Sequence, residues 1–170
     1  MSYSTHIRIL YMGRKAQIFD QLQMILAEQN HLAGHRAYTG SHNGLPLTHT
    51  VDTQADNPWP LVEATMATSQ KNALQLIRTQ PPAIVLVELD QKSASRLRFC
   101  DIIRYRLPAA TVLAVTANLP NSTFAFDDVI NLPLVPTRVV NVVKRFSEKR
   151  IEHLLQLGPI SLNMATRTVT

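Results

Sequence analysis

The chain has 170 residues, 45% of them hydrophobic, enough to bury one sizeable core with little room for a second complete domain. No apolar run reaches the roughly 18 residues needed to span a bilayer, and no basic segment leads an apolar one at the N-terminus. Membrane insertion and secretion are therefore disfavoured and a cytoplasmic location is expected, while a net charge of +5 spread along the chain forms no compact patch and assigns no nucleic-acid partner by itself.

Residues 7–12 read as a first strand, and Ile18, Phe19, Leu22, Ile25 and Leu26 recur at the spacing of one helical stripe that must stop before Gly34. Residues 31–60 contain three glycines, three prolines and a β-prone piece at 47–53, which predicts an inserted loop or hairpin. A weaker strand at 61–67 is followed by Ser69, a good N-cap, and by a helix with Ala73, Leu74, Leu76 and Ile77 inward that ends at Pro81 and Pro82. Residues 84–89 are a continuous apolar run broken only by Glu88, as expected of a central parallel strand covered on both faces. A charge there calls for an explanation.

A helix using Leu97, Cys100 and Ile103 comes next, then a strand at 111–115 and a short one at 129–132. After Pro136 a last helix turns Val139, Val140, Val143 and Phe146 inward and Lys144, Arg145, Lys149 and Arg150 outward. Five strands alternating with at least four helices predict an α/β fold, a parallel sheet with helices on both faces. Cys100, alone and inside an apolar pattern, reads as a buried thiol with no redox role. Of His31, His35, His42 and His49 only the first two have an i, i+4 spacing, Gly34 argues against a helix there and no cysteine joins them, so the four read as chance clustering. Trp59 reads as a cap on the edge of the core, and the basic residues of the last helix as a solvated face.

This order of elements resembles the receiver domains of two-component response regulators over residues 6–150. The resemblance is carried by Arg8-Ile9-Leu10-Tyr11-Met12, by Pro82-Ala83-Ile84-Val85-Leu86-Val87-Glu88-Leu89, by Thr116-Ala117 and by Asp127-Asp128-Val129-Ile130-Asn131-Leu132-Pro133. It implies a CheY-like (flavodoxin-like) doubly wound five-stranded parallel sheet. Leu157-Gly158-Pro159-Ile160-Ser161-Leu162, continuing to Arg167-Thr168-Val169, is similar to the first strands of the winged-helix effector of the OmpR/PhoB subfamily. Residues 1–150 are thus expected to be a receiver-like domain. Residues 151–170 are expected to be a linker and the start of a DNA-binding domain whose recognition helix is missing.

Receiver chemistry uses an aspartate nucleophile ending the central strand, two acids after the first strand that join it in holding Mg²⁺, and a lysine and a hydroxyl for the phosphoryl oxygens. On this sequence the nucleophile position is Glu88, the acidic pair is Gly13 and Arg14, the lysine position is Leu132, and only Thr116 survives. Glycine offers no ligand and arginine puts a cation where the metal belongs, so no metal and no cofactor are expected and phosphotransfer fails. Asp90 is a less favoured substitute acceptor, near the loop and without metal partners. Two readings of Glu88 stay open: a buried pair with Arg14 replacing the metal and phosphoryl charges, or a solvated strand end with Arg14 pointing outward.

Only nine residues, Pro120 among them, separate Ala117 from Asp127, so the helix there shrinks to one turn or less and the subfamily's usual dimer interface is put in doubt. A homodimer through the final helix or the insertion stays open. The expected function is non-enzymatic: a phosphorylation-independent regulator acting on transcription through an attached winged helix, driven by a signalling partner or ligand. The alternative is a stand-alone protein–protein interaction module with no DNA binding. An enzyme is disfavoured because no glycine-rich phosphate loop follows the first strand.

Overall fold

The computed structural model describes residues 6–34, 59–90, 94–118, 126–151, 154–157, 160–163 and 168–169. Most of the 31–60 insertion, its His35, His42 and His49, and the shortened segment at 119–125 lie outside the described residues. The elements run β1 (His6–Met12), α1 (Ala16–Leu32), β2 (Leu61–Ala67), α2 (Gln70–Thr79), β3 (Ile84–Glu88), α3 (Ala94–Arg106), β4 (Thr111–Thr116), β5 (Asp128–Asn131) and α4 (Pro136–Ile151). The five strands form one parallel sheet in the order β2-β1-β3-β4-β5. A separate antiparallel sheet joins β6 (Leu154–Leu157), β7 (Ile160–Asn163) and β8 (Thr168–Val169) in that order.

Side-chain alternation on β1 sorts the core into two layers. Ile7, Ile9 and Tyr11 face α1 and α4, packing with Leu22, Leu26, Val139 and Val143, whereas Leu10 and Met12 face α2 and α3 with Ala73, Ile77, Phe99 and Ile103. Central β3 is buried at every residue. The chain steps outward from β1 to β2 and then crosses back to β3, so strand order reverses between β1 and β3. The crevice beyond the carboxyl ends of those two strands is where such sheets place their polar sites.

Helix boundaries follow local signals. The Ser69 hydroxyl accepts from the Asn72 amide at 3.2 Å as the expected N-cap of α2. The last helix differs in detail. Its buried stripe is Val139, Val142 and Val143, while Val140 and Phe146 are only partly buried. The i, i+3, i+4 spacing of that stripe leaves Val140 on its flank, and the Arg145 guanidinium lies 4.5 Å from the centre of the Phe146 ring. Arg145 and Arg138 both pair with Asp128. Burial works to raise the Asp128 pKa, but the Val129 amide, Arg145 and Arg138 outweigh it and hold the carboxyl below its ordinary range. Cys100 is buried, and burial reinforced by the Asp101 charge pushes its thiol up to about 11, partly opposed by Arg104.

Strand β2 is a sheet edge, and its start is held by one side chain. Asn30 of α1 donates through Nδ2 to the Val62 carbonyl at 2.8 Å and accepts through Oδ1 from the Val62 amide at 3.1 Å. The same oxygen accepts from the indole of buried Trp59 at 3.0 Å, so Trp59 does cap the edge of the core. The carboxamide thus occupies the rung that a neighbouring strand would fill. Asn30→Ala leaves these part-buried groups without their partner and is expected to cost about 1–3 kcal/mol, read by urea unfolding. A change below about 0.5 kcal/mol would mean that the carboxamide is not what holds the edge.

Candidate functional site

Glu88 ends β3 in the crevice between β1 and β3, and it is 2% exposed. Its Oε2 accepts from the Arg14 amide at 2.7 Å, the Lys15 amide at 3.3 Å and the Tyr11 hydroxyl at 3.1 Å. The Lys15 ammonium stands 3.8 Å from Oε1, and the Arg96 guanidinium 3.7 Å from Oε2. Arg96 is itself 7% exposed, and its Nη1 also donates to the Glu88 carbonyl. The carboxylate therefore lies against two consecutive backbone amides of the turn that leads into α1, with one buried and one exposed cation beside it. Successive backbone amides aimed at one point favour an anion.

Neither sequence reading of Glu88 describes this arrangement fully. Glu88 is not solvated, and its side-chain cations are Arg96 and Lys15; Arg14 contributes only its amide and is exposed. The reason is geometric: residues just past the strand end turn into α1, aiming their N–H groups at the crevice while the Arg14 side chain points outward. Arg96 carried a signal that went unread. It precedes Phe99, Cys100 and Ile103 by three, four and seven residues, so it falls on the buried stripe of α3.

Gly13 has a steric role. A Cβ built there would lie 2.4 Å from Glu88 Oε2 and 2.5 Å from the Tyr11 ring. The absent side chain makes room for the longer acid opposite and for the tyrosine beside it. The Tyr11 ring also packs against Phe19 with centroids 5.7 Å apart. Burial, followed by the Glu88 charge and hydrogen bond, raises the Tyr11 phenol well above its ordinary value, with Arg96 opposing.

The other carried-over positions stand apart from this cluster. Thr116 is buried, and its hydroxyl is used locally, donating to the Asn118 carbonyl at 2.9 Å and accepting from the Asn118 amide at 3.2 Å. Leu132 is partly buried in the α1/α4 layer and precedes a cis Pro133. Asp90 is exposed. Magnesium does not fit these residues: the ligand position at Gly13 has no side chain, its space holds the Glu88 carboxylate, and the groups around that carboxylate are cations and N–H donors. Among the described residues no group of three or more His, Cys, Asp or Glu could hold a metal ion.

This sheet, its strand order and its helices on both faces define a CheY-like doubly wound α/β fold. No protein-family model and no curated protein sequence matches the chain. Solved structures do. A CheY-like receiver domain protein from Methanospirillum hungatei superposes with a TM-score of 0.61 at 15% identity, covering 87% of this chain and 99% of the other. A two-component response regulator from Clostridium difficile gives 0.59 at 13% identity over 84% of this chain and 97% of its own. Response regulator DrrB, an OmpR/PhoB homologue from Thermotoga maritima, gives 0.58 at 15% identity and covers 97% of this chain and 63% of DrrB.

Two measurements probe the cluster. Glu88→Ala leaves Arg96 buried without its counter-charge and is expected to destabilise by about 3–5 kcal/mol, whereas a loss under about 1 kcal/mol in chemical denaturation would show the pair to be energetically idle. For Tyr11, a raised folded pKa means that the native state holds the phenolic proton more tightly than the unfolded chain. Its contribution is full below the unfolded value of about 10 and is lost as pH rises beyond it. Wild-type stability is therefore expected to fall above that pH, and Tyr11→Phe to flatten the fall. Parallel alkaline profiles for the two proteins would contradict the assignment.

Proposed function

We propose that residues 1–150 are the signal-receiving and dimerisation domain of a DNA-binding transcriptional regulator, working without aspartyl phosphorylation. Residues 151–170 are then a linker and the start of a winged-helix effector. The observation that carries this reading is the Glu88 carboxylate, seated on the Arg14 and Lys15 amides with Arg96 and Lys15 as counter-charges. An internal anion already fills the polar end of β3. The residues that would hold Mg²⁺ in a phosphorylated receiver are replaced by Gly13 and Arg14, so neither the metal nor the phosphoryl group has a seat. Signal then enters through a partner protein, a ligand or a change in oligomeric state, with no chemical step on the chain.

The transcriptional half rests on the antiparallel β6-β7-β8 sheet and on the alignment with the OmpR/PhoB homologue DrrB, which extends over 97% of this chain. Coding sequence beyond residue 170 with two helices and a β-hairpin favours that half. A gene without it favours the stand-alone interaction module.

The deciding experiment is intact mass after incubation with acetyl phosphate and Mg²⁺, with Mg²⁺ titrated against the fluorescence of Trp59, the chain's one tryptophan. No phosphoryl mass and no metal response are expected. A stable adduct overturns the proposal, and an adduct on Asp90 would mean a rebuilt acceptor site.

A further inference from the structure

Among the described residues, only Asn30 bonds to the outer edge of β2. In a strand both backbone groups of alternate residues point to the same side. Val62 turns its amide and carbonyl outward to Asn30, so Ala64 and Met66 also face outward, while Leu61, Glu63, Thr65 and Ala67 are turned toward β1. Among the described residues no strand pairs with that edge. A cavity of about 430 Å³ lies there between α1 and β2, bounded by Gln23, Ala27 and Asn30 and by residues 62–65.

Among the described residues this stretch carries few of the usual protections of an edge strand. β2 contains no lysine, no proline and no break in its register with β1, and its one charge, Glu63, pairs with His6 at 2.9 Å. Asn30 fills the rung at Val62, and among the described residues no group fills those at Ala64 and Met66.

From these observations we infer that a second copy of this chain docks on β2, antiparallel about a two-fold axis at Thr65. That register uses only the free rungs. Ala64 faces Met66 of the partner and Met66 faces Ala64, each pair exchanging both N–H···O bonds, while Thr65 faces its own copy across a non-hydrogen-bonded site. No like charges oppose one another, since Glu63 lies across from Ala67, and a Thr–Thr pair is a favourable cross-strand match. The two α1 helices flank the axis, where small Ala27, which lines the cavity, permits approach. The inference rests on the dimerising role proposed above only in taking a second copy as the occupant. The phosphorylation assay reads a different part of that proposal, so either can fail alone.

Sedimentation of the full 170-residue chain over a dilution series tests it, together with two kinds of variant. Ala64→Pro removes an outward N–H and no bond to β1, a change edge strands tolerate, and it should weaken association by roughly tenfold or more. Thr65→Cys should oxidise to a covalent dimer, because opposed residues at such a site have Cα atoms about 4.5 Å apart, within disulfide reach. Glu63→Cys, facing Ala67 rather than itself, should not, and Cys100 is buried out of reach. A monomer at every concentration overturns the inference, as does a dimer indifferent to Ala64→Pro. Equal cross-linking of Thr65→Cys and Glu63→Cys also overturns it, and that comparison decides alone if the proline variant fails to fold.

Discussion

A carboxylate buried at the end of the central strand is the constraint that organises this molecule. Taking a charge out of water is costly unless it is paired and hydrogen-bonded, and each neighbour of Glu88 meets part of that demand. The chain past β1 turns at once so that two amides reach it, Gly13 has no side chain so that it fits, Tyr11 brings its hydroxyl from β1, and Arg96 brings a cation from α3. Because Arg96 also holds the Glu88 carbonyl, α3 is tied to β3 by both backbone and side chain. A well-packed apolar residue could match such a pair in stability. What the pair supplies in addition is a fixed relation among β1, β3, α1 and α3.

Much of the fold was legible from periodicity. Apolar runs of strand length and helical stripes placed β2 at residues 61–67 as observed and β3 within one residue, because central parallel strands show unbroken hydrophobicity and Pro81 and Pro82 leave no choice about where α2 ends. The side-chain detail was less legible. Val142 rather than Val140 is buried on α4, since helical rotation about the stripe is settled by packing against the sheet.

The site was legible as positions and illegible as partners. Chain order marks the residues at the ends of β1 and β3, but it does not say which cation the acid selects. Arg14 adjoins the turn in sequence and yet its side chain leaves the crevice, while Arg96, eight residues from Glu88 and on another element, enters it. An arginine on an otherwise apolar helical stripe is the kind of local inconsistency that marks a buried partner.

The polar network is also one-sided. It joins β1, the start of α1, β3 and α3, whereas Thr116 spends its hydroxyl on Asn118 and Leu132 packs in an apolar layer. In a phosphorylated receiver the hydroxyl and the lysine connect the acceptor across the crevice to β4 and β5. Here no comparable side-chain bond from Glu88 crosses to those strands among the described residues. A perturbation of Glu88 therefore bears first on β1, α1 and α3. On the proposed reading that asymmetry favours output on the α1/β2 side over the β5/α4 side: β2 is hydrogen-bonded along the whole of β1, and α1 follows directly on the amides that hold the carboxylate.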